Sequence, residues 1–151
     1  MISRKSVEHL RAAIFIKDLK AKSDFEAIAK MLDALAGRPE VKDLPKLTQA
    51  VFERQETDPP LFPGGIAFPH ARTDSVSDLV MVFASCAEAI QFGNMRVRLI
   101  FLIGVPKNAG AEYLELISFL ARHVRGEQTV NRLVEAGDLS SFLAAFAEPN
   151  G

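Results

Sequence analysis

Residues 64–74 read Gly-Gly-Ile-Ala-Phe-Pro-His-Ala-Arg-Thr-Asp, and the rest of the chain is organised around this stretch. A short apolar run, Ile66-Ala67-Phe68, is led in by two glycines and stopped by Pro69. A strand that stops at a proline delivers the next side chain to a strand mouth, where open α/β sheets gather their binding groups. That side chain is His70, and imidazole is both nucleophilic and near-neutral in pKa at cytoplasmic pH. His70 is therefore the expected centre of the chemistry. Gly64-Gly65 reads as a turn, or as a pair of amides free to approach an anion.

Upstream, DPPLFP at 58–63 holds three prolines and is expected to be a stiff loop without regular structure. Before it, Asp43 is a plausible N-cap for a helix with Pro45 in its first turn and Leu47 and Val51 on its buried stripe. Arg54 lies three residues after Val51 and is expected to continue that stripe, where a guanidinium needs a carboxylate or a ligand. Earlier still, AIFIKDL at 13–19 reads as a strand, and Ser23-Asp-Phe-Glu26 as a capping box opening a helix with Phe25, Ile28, Leu32 and Leu35 on one face. Residues 1–12 are expected to form an arm or a short helix, with His9 solvated, and 13–151 the domain proper.

Downstream, 79–84 (LVMVFA) reads as a strand, 87–94 as a loop and 97–104 (VRLIFLIG) as a central strand. A helix is expected from about 111 to 125 with Tyr113, Ile117, Leu120 and Val124 on one face, then two shorter helices near 128–136 and 139–147. Strands mixed with helices in this order imply a single α/β domain, a mixed β-sheet flanked by helices.

Composition narrows the function classes. Apolar residues make up 48% and charged residues 25%, with a formal net charge of -1, the profile of an ordinary globular protein. Eighteen basic residues against nineteen acidic ones leave no excess for nucleic acid or a membrane surface. No run is long enough to span a bilayer. One cysteine, Cys86, cannot pair within the chain and fits a reducing compartment as a buried structural thiol. Three scattered histidines without a close carboxylate pair lack metal-ligand spacing, so no metal is expected.

The stretch GIAFPHARTDSV resembles the signature around the phosphorylated histidine of enzyme IIA domains of the fructose–mannitol type, including the nitrogen-related regulatory IIA proteins, in the bacterial phosphoenolpyruvate:sugar phosphotransferase system. Arg54, sixteen residues before His70, stands at the spacing of that family's arginine, and LIFLIGVP and YLELISFLARHV are similar to its later strand and following helix. The likeness covers roughly residues 13–147. It implies a mannitol-type IIA fold and a cytoplasmic histidine phosphocarrier that needs no cofactor. His70 would accept a phosphoryl group from phospho-HPr and pass it to a IIB domain or a regulatory target, with Arg54 as the neighbouring cation.

Two departures stand out. Tyr113-Leu114 occupies the place of the family's His-Leu pair, so Tyr113 is carried as a site residue that can donate a hydrogen bond but not a positive charge. Pro59-Pro60-Leu61 replaces a Ser-Thr-Gly run, which removes hydroxyl contacts to phosphate. His123 lies ten residues beyond Tyr113, on another face of the helix, and is read as structural. Arg72 could add charge, and Asp74 could order the turn after His70. A second reading is a regulatory binding module of IIA fold with weak or no transfer.

Overall fold

A computed structural model describes residues 3–147; the outer ends of the expected arm and domain, 1–2 and 148–151, lie outside the described residues. Helix α1 is Arg4–Arg11, β1 Ile14–Ile16, α2 Asp24–Asp33 and α3 Leu44–Thr57. Four strands follow before the long hairpin closes: β2 Leu61–Phe62, β3 Ile66–Ala67, β4 His70–Arg72 and β5 Val80–Phe92. The chain ends with β6 Met95–Val105, α4 Gly110–His123, α5 Glu127–Glu135 and α6 Leu139–Ala147.

The sheet is mixed, in the order β1-β5-β6-β3-β2, with β4 pairing β6 beyond β3. Its spine is the antiparallel hairpin β5–β6, in register from Val80↔Gly104 to Ser85↔Leu99, then bulged, then paired again from Ile90↔Val97. The bulge absorbs the polar residues that make 87–94 look like a loop in sequence. The observed strand runs through to Phe92, with Ile90 and Phe92 buried. Gly93 takes φ +56 at the first central position of the two-residue turn, which suits a glycine-led hairpin turn.

Successive side chains of a strand leave by opposite faces, and the hairpin builds two cores in this way. Met81, Phe83, Leu99, Phe101 and Ile103 point toward α1, α4, α5 and α6, where Phe101 packs among Phe68, Phe83, Phe142 and Phe146. Val80, Val82, Ala84, Ile100 and Leu102 point toward α2 and α3. Cys86 is fully buried on this second side, and burial pushes its thiol up to about 12, so it is an inert packing residue. Among the described residues no helix is long and apolar enough to cross a membrane.

Two expectations are corrected, for the proline-rich loop and for the α3 stripe, and the turn reading of Gly64-Gly65 holds. The proline-rich loop contains a strand: Leu61 and Phe62 pair antiparallel with Ala67 and Ile66, because the flanking prolines need no donors at a sheet edge. Gly64-Gly65 forms the turn of that small hairpin, at the opposite end of the strand from His70. The buried stripe of α3 runs Leu47, Val51, Gln55, whose side-chain amide donates to Asp24 Oδ2 at 3.1 Å, and Arg54 lies on its flank.

Gly65 carries a specific requirement. Its φ is +84, and a Cβ there would lie 2.8 Å from the Arg96 carbonyl oxygen, whereas Gly64, at φ +99, has open space. Gly64→Ala should cost about 1–2 kcal/mol from backbone conformation alone. Gly65→Ala should cost more, because β6 must also shift. Thermal denaturation checks this, with the larger loss of Tm expected at Gly65.

Candidate active site

Strands β3 and β4 are two pieces of one line running parallel to β6. Ile66 pairs with Leu99 and Ala67 with Ile100; after the interruption, His70 pairs with Ile103 and Ala71 with Gly104 in the same register. Pro69 makes the interruption, since it has no N–H to donate, while its carbonyl accepts from Ile103 N at 2.9 Å. His70 is thus the first residue of a short strand past the break.

Phe68 turns its backbone away from β6, its amide donating to Pro60 O at 2.9 Å, and its carbonyl lies 2.8 Å from His70 Nδ1. A carbonyl can only accept, so Nδ1 carries the hydrogen and Nε2 holds the lone pair. Sequence reasoning did not identify the Phe68 carbonyl.

The ring is half-buried. Burial is the main cause lowering the His70 pKa below its ordinary 6.5; the Phe68 hydrogen bond opposes it, and the charge of Arg54 lowers it further. His70 stacks on Tyr113 of α4 with ring centroids 5.0 Å apart and planes at 29°. Burial raises the Tyr113 phenol pKa, against a smaller lowering by Arg54, so it is a neutral hydroxyl donor at working pH. The structure therefore brings together His70, Tyr113 and the charge of Arg54.

Arg54 arrives on the last turn of α3, a helix packed against β4. Its Nη1 donates to the Asp58 carbonyl and lies 3.8 Å from the Asp58 carboxylate. Both contacts use one nitrogen, and among the described residues nothing else holds the guanidinium. Its remaining donors can turn to an anion, whose planar geometry they match.

Other sequence candidates lie elsewhere. Arg72, two residues beyond His70 on the same strand face, donates from Nη2 to Lys107 O at 2.7 Å and lies against Gly110, bracing the loop that leads into α4. Asp74 pairs with Lys46 Nζ at 2.6 Å. His123 turns Nδ1 back to Phe119 O at 2.7 Å, as a structural histidine does. His9 is not solvated: its side chain is 9% exposed, between Asp78 and Glu112.

The chain is similar to known proteins over most of its length. The family model for the phosphoenolpyruvate-dependent sugar phosphotransferase system, EIIA 2, matches residues 9–148. A fructose-specific EIIA component of the phosphotransferase system from Haloferax volcanii is 33% identical over 125 residues, 81% of each chain. The nitrogen regulatory protein IIA-Ntr of Neisseria meningitidis shares the fold at TM-score 0.79 and 23% identity, over 91% of this chain and 94% of that one. The enzyme IIA of an Escherichia coli mannitol complex with phosphorylated enzyme IIB shares it at TM-score 0.75 and 22% identity, over 97% of each chain. The motif around His70, the mixed sheet and the family match lead to one conclusion: the chain belongs to the EIIA type 2 family of the phosphoenolpyruvate-dependent sugar phosphotransferase system.

Proposed function

We propose that this protein is a histidine phosphocarrier in which His70 Nε2 is the phosphoryl acceptor. The observation that supports this reading most directly is the Nδ1–Phe68 hydrogen bond, which holds the hydrogen on one nitrogen and leaves the other free. The Nε2 lone pair attacks phosphorus in line, the bond from phosphorus to the donor breaks, and its electron pair leaves with the donor. The phosphorylated ring keeps Nδ1–H on Phe68 O, which stabilises the partial positive charge that the ring acquires. No proton has to move from His70 during acceptance, because the ring is already neutral.

Phosphoryl transfer depends on positioning and on charge around the equatorial oxygens. Arg54 supplies that charge from α3. The Tyr113 ring fixes the plane of His70, and its hydroxyl serves as a neutral donor to phosphate. Phospho-HPr is the proposed donor. A IIB domain is the proposed acceptor, as in the mannitol complex of the same fold. The exchange is placed in the cytoplasm. Leu114, next to Tyr113, is 61% exposed, an apolar side chain at the rim where a partner protein would lie.

A regulatory role stays beside the carrier reading on one observation. The position of the second histidine holds a tyrosine, so the site carries one fewer titratable cation, and transfer can act as a slow signal.

Incubation with phosphoenolpyruvate, enzyme I and HPr should add one acid-labile phosphoryl group by intact mass. His70→Ala should add none, and Arg54→Ala should slow acceptance by about 10²-fold at unchanged Tm. A wild-type chain left unmodified by its cognate HPr would retire the carrier reading. Tyr113→Phe keeps the stacked ring and removes one hydrogen bond to a charged group, so acceptance should fall roughly tenfold or more; an unchanged rate would assign Tyr113 to ring orientation alone.

The pH profile follows from His70. A protonated ring has no lone pair, and the pKa is lowered, so acceptance should fall with acid with a midpoint below 6.5. A midpoint above 6.5 would contradict the buried, Arg54-facing ring.

A further inference from the structure

On the side of the sheet that carries α1, α4 and α6, these three helices leave a cavity of about 350 Å³ between them. α1 contributes Val7, Leu10 and Arg11, α4 contributes Phe119 and His123, and α6 contributes Leu143 and Phe146. Within each helix these residues are three or four apart, so each helix gives one face to the same space. Leu10 and Phe146 are buried and form the floor. Val7, Phe119 and Leu143 are half-buried, so apolar surface stays open inside the cavity. One wall is aromatic: the Phe119 ring centroid lies 4.3 Å from that of His123 and 6.3 Å from that of Phe146. A space lined this way holds water poorly, because it offers few hydrogen-bond partners. A ligand with an apolar body gains by taking its place.

The polar groups at this cavity carry one sign. Arg11 and His123 line it, and no carboxylate does. Among the described residues no hydrogen bond or ion pair engages the Arg11 guanidinium, which is exposed at the rim. His123 spends Nδ1 on Phe119 O at 2.7 Å, which leaves Nε2 as the ring's second polar atom. An apolar interior with a guanidinium at its mouth complements a molecule with an apolar body and one anionic end.

We propose that this cavity binds a small amphiphilic carboxylate, a single short chain or ring, with Arg11 holding the carboxylate and Phe119, Leu143 and Phe146 enclosing the apolar body. Its volume lies at the small end of ligand pockets, which suits one chain and not a two-chain lipid. His123 stands ten residues beyond Tyr113, about 15 Å along α4, so the site is separate from His70. It does not rest on the phosphocarrier reading and needs no transfer assay.

The test is titration of the full chain with octanoate, followed by calorimetry and by ¹H–¹⁵N NMR. One octanoate should bind per chain, with shifts confined to α1, α4 and α6 around Val7, Phe119 and Leu143. Acetate has the head without the chain and should not bind. The alcohol 1-octanol has the chain without the charge and should bind about tenfold more weakly. Arg11→Gln, at an exposed position, should weaken octanoate about tenfold and leave 1-octanol unchanged, a difference that misfolding cannot imitate. Leu143→Trp should fill the space and abolish binding of both. The proposal is overturned by no octanoate binding at millimolar concentration. Octanoate and 1-octanol binding equally, or octanoate binding unaffected by Arg11→Gln and Leu143→Trp, overturns it as well.

Discussion

One hydrogen bond governs the chemistry available here, that from His70 Nδ1 to the Phe68 carbonyl. It exists because Phe68 turns its backbone away from β6, its amide going to Pro60 O and its carbonyl to the imidazole. With it, the backbone itself fixes which nitrogen is nucleophilic, and no carboxylate is needed behind the ring. A carboxylate would raise the basicity of the imidazole; a neutral carbonyl does so less, and burial outweighs it. The outcome is a ring that is oriented and uncharged at neutral pH.

Rigidity beneath the ring comes from the hairpin. Ile103 and Gly104, the partners of His70 and Ala71, lie in the stretch of β6 that is buried on both faces. Gly104 has no side chain for a reason visible in the packing: a Cβ would lie 2.9 Å from Val80 Cγ2 and 3.4 Å from Leu47 of α3. That close approach lets α3 settle against β4 and carries Arg54 toward the histidine. Arg72 does the complementary job on the other side by holding the Lys107 carbonyl, which fixes the loop leading to α4 and hence Tyr113. The two arginines thus divide their work, one left with free donors at the site and the other spent on its frame.

Local features were legible in the sequence and pairings were not. Ser23 and Asp43 cap their helices by accepting from Glu26 N and Lys46 N at 3.1 Å, as their spacing suggests, because capping involves neighbours only. The place of His70 at a strand start just past a proline was legible for the same reason. The β2 edge strand was hidden by its prolines, and the far half of β5 by Glu88 and Gln91, since both depend on a partner strand that local propensity does not see. Arg54 was expected on the buried stripe, but Gln55 holds that position; a polar residue there becomes tolerable only once Asp24 of α2 receives its amide. His9 looked solvated because its partners, Asp78 and Glu112, are remote in sequence.

The tyrosine at 113 changes the electrostatic character of the site. A second histidine would compete with His70 for protons and add charge on titration. Tyr113 does neither: burial raises its pKa, and Arg54 lies close enough to oppose that rise without cancelling it. The site then has a single permanent cation and a single titrating base. In the proposed carrier, charge on an incoming phosphoryl group would be met by Arg54 and by the partner's own donors. A docked partner that excludes water strengthens Arg54's field at the moment of transfer, since the same charge acts through a lower dielectric. On the proposed carrier reading, affinity for phosphate would rise on docking, which would tie transfer to an encounter with a protein and not to phosphate in solution.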